Sequence, residues 1–239
     1  IPSRMASKRF PNKPMANING VPMIERVWRQ GTKANIGDVF VACSEYEVFD
    51  LITSIGGKAI MTDPNLPSGT DRIYAAFNSL ENKNDYESII NLQGDMPIID
   101  PENIKNVNLP LMHGFDIGTI ATDLFKEEEK NQNITKVYIN WKVPKIIGDS
   151  VDFYKTPKKK LNNVYQHVGI YSFRPIALKK FISLPPSKNE IDRSLEQLRA
   201  IDAGIKIGIT YVENIAISID TKEDLILIEK LIKEKNEIY

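Results

Sequence analysis

The sequence has a single cysteine, two histidines and no excess of either charge. One thiol cannot build a disulfide framework, and Cys43, inside the apolar run DVFVAC, reads as a small buried hydrophobe rather than a nucleophile. His113 and His167 have no ligand-like spacing to that cysteine, which argues against zinc. Lys plus Arg equals Asp plus Glu at 31 each, so no global field draws nucleic acid or an anionic membrane. Any anion site has to be local, and nucleic-acid binding is not expected. No apolar run approaches the roughly 20 residues that span a bilayer, and the first residues do not have the pattern of a signal peptide, so membrane insertion is not expected either. These absences point to a reduced, cytoplasmic protein. Its 239 residues suffice for one sizeable core, or for a core with a subordinate lobe.

What is present begins with IPSRMASKRFPNKP. Ile1 is not an initiator residue, and the chain is expected to open partway through a strand that runs into a Pro-punctuated cationic loop. Arg4, Arg9 and Lys13 place three cations within ten residues. Arg offers a planar fork for phosphate oxygens, Lys a compact point charge, and loop N–H groups add donors, which is how a protein grips a triphosphate. A basic segment near a chain end is otherwise a solvated tail. Here it leads into NINGVPMIERVWRQ, a tight Asn-Gly turn followed by apolar Met23, Ile24, Val27 and Trp28 at helical spacing.

Farther along, the apolar runs 38–43, 58–61, 88–93 and 116–122 read as buried strands, with helices over 45–55, 71–80 and 101–107. This alternation predicts an α/β fold with a doubly wound, mostly parallel sheet and ligands at its strand ends. From about 124 to 163 the pattern changes to charged loops and short strands, KVYIN and VPKII. Helices at 175–183 and 189–203, strands KIGITYV and IAISI, and a last helix at 222–236 return to the earlier style. The expected division is a core of 1–123 and 191–239 and a smaller lobe of 124–190.

Several polar groups stand where apolar strands end. INLQGDMPII puts Gln93, Gly94 and Asp95 at one exit, where Gly admits a ligand and the carboxylate can hold a metal, or else caps a helix. ISIDTKEDL ends at Asp220, which alone reads as an N-cap. LPSGTDRIYAA presents Ser68, Gly69 and Thr70 before a helix with Arg72 in its first turn, a pattern that capping alone can explain. In YQHVGIYSFR, His167, Gly169 and Tyr171 alternate onto one face of a strand, although a lone histidine is more often a satisfied core group.

In this order the segments resemble the 3-deoxy-manno-octulosonate cytidylyltransferases, the CMP-Kdo synthetases, over nearly the whole chain. The opening is similar to PARxxSTRLPGKPL followed by NGxPMI, and later segments to SGTDRV, VQGDEP, HxGIYxYR, LEQLR and VDTPEDL. The resemblance implies a nucleotide-diphospho-sugar transferase-like fold whose smaller lobe makes a homodimer, and a reaction of CTP with a Kdo-type sugar acid for lipopolysaccharide biosynthesis. It implies Arg4, Arg9, Lys13, Ser68, Gly69, Arg72, Gln93 and Gly94 at the nucleotide, with Lys13, Asp95 and Asp220 catalytic. Asp95 and Asp220 are the implied ligands of Mg2+, a cation suited to carboxylate oxygens, water and substrate phosphates. Gln93, Lys155, His167, Tyr171, Glu196 and Gln197 are implied at the sugar acid.

Departures accompany the resemblance. Asn12 stands for the family's Gly, Met96 for Glu, Lys155 for the Arg of YFSRAxIP and Arg193 for a frequent Glu. They keep two alternatives open: a modified sugar acid, of 8-amino or sialic type, or an inactive nucleotide-binding regulator.

Overall fold

The computed structural model describes residues 1–6, 10–156, 162–213 and 217–234. A short hairpin, β1 (Asn17–Ile18) and β2 (Val21–Pro22), leads into α1 (Met23–Ala34), β3 (Phe40–Cys43), α2 (Tyr46–Ser54), β4 (Lys58–Met61) and α3 (Gly69–Ser79). β5 (Ile89–Asn91), α4 (Pro101–Asn106), α5 (Leu109–Met112), β6 (Ile117–Thr122), β7 (Lys136–Val143) and β8 (Ile147–Tyr154) follow. The order ends with β9 (Val164–Phe173), α6 (Pro175–Ser183), α7 (Lys188–Arg193), α8 (Leu198–Asp202), β10 (Ile207–Tyr211) and α9 (Lys222–Glu234).

Two compact units divide the chain, the first of Ile1–Lys83, Asn91–Ile104 and Ala216–Tyr239, the second of Asn84–Ile90 and Lys105–Ile215. The sequence placed residues 84–90, 105–123 and 191–215 with the core. They belong instead to the second unit, because β6 and β10 are interior strands of one six-stranded sheet ordered β5-β9-β6-β10-β8-β7.

In the first unit β3 and β4 pair in parallel, and Pro2 makes a parallel bridge with Ala42. The opening residues therefore run as a strand beside β3, as expected. Asn19 and Gly20, with φ of 46° and 86°, close the hairpin in the left-handed geometry that an Asn-Gly pair tolerates. Met23, Ile24 and Val27 are fully buried on the inner stripe of α1. Met23 joins Phe10, Ile18, Ile219, Ile228 and Ile232 in an apolar cluster that packs the cationic loop, the hairpin and α9 together.

Parallel pairing continues in the second unit between β6 and β10, while β6–β9, β8–β10, β7–β8 and β7–β9 are antiparallel. Three local expectations change. VPKII is no strand: Val143 ends β7, Lys145 takes φ 50° and Ile147 begins β8, so it is a hairpin turn. The helix expected over 189–203 breaks into α7 and α8 at Ser194, whose φ is 53°. Of IAISI, residues 215 and 216 lie outside the described residues, and 217–219 join no ladder. Ile219 N–H instead donates to the Asp95 carbonyl at 2.9 Å.

Candidate active site

Packing brings together the two carboxylates that the sequence placed at strand ends, although residues 217–219 form no strand before Asp220. Asn12, with φ 57°, turns the cationic loop into a 3-10 turn at Lys13–Met15. That left-handed conformation explains why Gly suits this position and why Asn, which tolerates it, can replace it. Phe10 and Pro14 are buried on either side, so the Lys13 side chain leaves a fixed turn. Its Nζ donates to Asp95 Oδ2 at 2.8 Å and to Asp220 Oδ1 at 3.1 Å.

Asp220 is not the cap of α9. Thr221 takes that role: its Oγ1 accepts from the Asp224 N–H, while the Asp224 carboxylate accepts from the N–H groups of Asp220 and Thr221. Burial opposes ionisation of Asp224, yet those N–H groups hold its carboxyl below the usual range. The Asp220 carboxylate is thereby left to face Lys13. Met96 is 5% exposed, so the position where the family has Glu is core in this chain.

The remaining nucleotide candidates divide by role. Ser68 Oγ accepts from the N–H groups of Thr70 and Asp71, so it caps α3. A Cβ on Gly94 would lie 2.8 Å from the Pro2 carbonyl oxygen, and one on Gly69 would lie 3.2 Å from Pro2 Cγ and 3.9 Å from Gln93 Oε1. The opening strand thus passes between the two glycines, with Gln93 beside Gly69. Arg72 is 1% exposed and donates from Nη1 to Thr62, while its Nη2 has no hydrogen-bond partner among the described residues. Burial lowers its pKa, the Glu45 carboxylate counteracts this, and Arg4 adds like-charge repulsion. A buried guanidinium with an unspent donor and a second cation nearby has the chemistry to accept an anion. Arg4 itself is exposed, and Arg9 lies outside the described residues. Glu45, whose buried Oε2 has no hydrogen-bond partner among the described residues, was not singled out from the sequence because nothing local marks it as the counter-charge of Arg72.

Apart from Gln93, which belongs to the first unit, the sugar-acid candidates lie in the second. A bulge in β9, where Thr119 of β6 pairs with Tyr171 and Ile120 with Val168, interrupts strict alternation yet keeps His167 and Tyr171 together, ring centroids 5.4 Å apart. His167 Nε2 is 2.9 Å from Thr119 Oγ1, which also lies 2.7 Å from the Ile170 carbonyl oxygen. With its proton on that carbonyl, Thr119 accepts from Nε2–H and leaves Nδ1 as the acceptor of the ring. Burial lowers the His167 pKa to about 3. Burial, then the charge of Glu196, raises that of Tyr171 well above its ordinary value, so the site combines a neutral imidazole with a neutral phenol. Glu196 and Gln197 fill the α7–α8 turn, and Gln197 is buried. Lys155 follows β8 directly, and its carbonyl accepts from Lys136 Nζ at 2.9 Å. Arg193 is spent within the protein, on Asp152 Oδ1 at 2.6 Å and the Phe153 carbonyl at 3.1 Å.

Asp95 and Asp220 present hard oxygen donors that one cation already spans. Among the described residues no cluster of three or more His, Cys, Asp or Glu could hold a metal. Two carboxylates suit a cation that completes its shell with water and substrate phosphates.

A family model described as cytidylyltransferase matches residues 1–207. The 3-deoxy-manno-octulosonate cytidylyltransferase of Paramagnetospirillum magneticum is 40% identical over 98% of this chain and 96% of its own length. That of Parvibaculum lavamentivorans is 39% identical over 94% and 88%. Among solved structures, CMP:2-keto-3-deoxy-manno-octonic acid synthetase complexed with CTP superposes with a TM-score of 0.88 at 31% identity, covering 98% of this chain and 97% of that one. An apo UDP-glucose pyrophosphorylase, at 14% identity and TM-score 0.66 over 96% and 93%, shares the fold.

Proposed function

The chain belongs to the cytidylyltransferase family, and from that premise we propose that it joins CTP to 3-deoxy-manno-octulosonate, releasing pyrophosphate and the CMP-sugar used in lipopolysaccharide assembly. The observation that carries the reading is the meeting of Asp95 and Asp220 on one ammonium, because it gathers a cation and two carboxylates from three segments distant in sequence. The anomeric hydroxyl oxygen bonds to the α-phosphorus as the bond to pyrophosphate breaks, and the hydroxyl proton departs to solvent. Lys13, with Arg4, Arg9 and Arg72, binds the triphosphate and offsets charge on the leaving pyrophosphate. Ser68 holds the start of α3, while Gly69, Gly94 and Gln93 shape the strand ends beside it. Asp95 and Asp220 would hold Mg2+, which would polarise phosphate oxygens and favour loss of the attacking hydroxyl's proton. His167 Nδ1, the Tyr171 hydroxyl, Glu196 and Gln197 orient the sugar hydroxyls, and Lys155 meets the carboxylate. The enzyme works as a cytoplasmic homodimer in this reading. No helix among the described residues is long and apolar enough to cross a membrane.

Pyrophosphate release with CTP, Mg2+ and the sugar acid tests the proposal, with UTP and metal-free controls. Metal-dependent release with CTP supports it; CTP binding without release overturns it. Lys155 in place of Arg favours parallel assays with the 8-amino and sialic-type acids.

A further inference from the structure

Lys136 is a lysine with no exposed surface. Its Nζ donates to three backbone carbonyls: those of Asn131, of Ile134 at 2.9 Å and of Lys155 at 2.9 Å. An ammonium has three N–H donors, and here all three are used. Burial lowers its pKa, and the Glu128 carboxylate opposes that shift. Placing a charge here is costly, and an apolar side chain of similar volume would fill the same space at the start of β7. What an apolar side chain cannot do is hold the three carbonyls.

The third carbonyl gives the arrangement a use. β7 and β8 are in register from Lys136 with Tyr154 at one end, and Tyr154 is the last residue of β8. One residue later, where that register ends, the Lys136 ammonium grips the main chain of Lys155. We propose that Lys136 is a positioning residue for the acceptor, fixing the backbone from which Lys155 reaches the carboxylate of the sugar acid. The proposal rests on the reading of Lys155 as that carboxylate's partner. It gives a reason for Lys at this point of the fold: a flexible ammonium at position 155 lacks the planar fork of Arg and depends more on where its backbone is held.

The test is steady-state kinetics on the full chain for Lys136→Met, Lys136→Gln, Lys155→Ala and the double variant Lys136→Met/Lys155→Ala, varying CTP and the sugar acid separately. Lys136→Met is expected to raise KM for the sugar acid at least about tenfold, the scale of one hydrogen bond to a charged group, with KM for CTP unchanged within about twofold. Lys136→Gln, which keeps an amide donor for the carbonyls, recovers part of the loss and serves as the second variant if Met prevents folding. The double variant matches Lys155→Ala alone, because the two residues act through one contact. A lower melting temperature with unchanged KM for the acid, or multiplied effects in the double variant, overturns the positioning role while leaving Lys155 in place. An unchanged KM for the acid in Lys155→Ala removes the premise, and with it the proposal, while leaving the cytidylyltransferase reading intact.

Discussion

At residue scale, the sequence named Asp95 and Asp220 but could not say which carboxylate near the start of α9 would cap it. Thr221 and Asp224, a Thr-x-x-Asp spacing visible in TKED, take that task and leave Asp220 beside Lys13. Asp95→Asn or Asp220→Asn is accordingly expected to lower turnover by about 100-fold or more, since even indirect partners of a metal cost 10- to 100-fold. Mn2+ binding followed by electron paramagnetic resonance should weaken in parallel, and full turnover in either variant would remove both residues from the metal. His167 yields a second expectation. Its folded pKa of about 3 lies below the ordinary 6.5, so as pH falls the unfolded chain takes up the proton first. The stability associated with neutral His167 is whole above about pH 6.5 and is lost progressively toward pH 3. Melting temperatures from pH 7 to 4 should fall less steeply in His167→Gln than in the parent, and equal slopes would contradict a buried neutral imidazole.

At the scale of elements, most of what positions the site was legible and what failed did so for local backbone reasons. α6 matched its expected bounds, and β3, β6 and α1 followed their apolar patterns because each is buried along its inner side, whereas β4, expected to be a buried strand, pairs with β3 but leaves Lys58 and Met61 exposed and buries none of its residues. The break between α7 and α8 was hidden because Ser194 adopts a left-handed conformation that Ser does not advertise. The turn in VPKII was hidden because β-branched residues flank it and give a hairpin corner the composition of a strand. Gly94 reads in the sequence as an opening for a ligand, and in the structure it also lies against the main chain of the opening strand at Pro2. Gly94→Ala would drive a Cβ to 2.8 Å from a main-chain oxygen that cannot swing aside. A loss of about 1–3 kcal/mol in denaturant unfolding is expected, together with a displaced Asp95 and reduced turnover. An unaltered midpoint would mean that the opening strand does not lie there.

At the scale of the whole molecule, composition set the class of function and motif order set the family, but the division into units needed pairings that no local pattern carries. β6 and β10 are far apart in sequence and adjacent in one sheet. Their short apolar runs look the same whichever unit they join. A neutral net charge also bears on association, since it provides no long-range repulsion between copies. Phe125, Val143, Ile146 and Val151, all within the segment expected to make the homodimer, are between 45% and 57% exposed. Covering such side chains in a second copy gains apolar burial at about 25 cal/mol per Å2 and needs no large rearrangement to begin. Sedimentation should therefore give a species of about twice 27.1 kDa, and Ile146→Glu combined with Val151→Glu should shift it toward the monomer while leaving CTP binding intact. Those charges disturb only exposed positions of the second unit, whereas Lys13 and Arg72 belong to the first. A dimer undisturbed by both charges would move the interface to another face, and a monomer in the parent protein would end the homodimer reading.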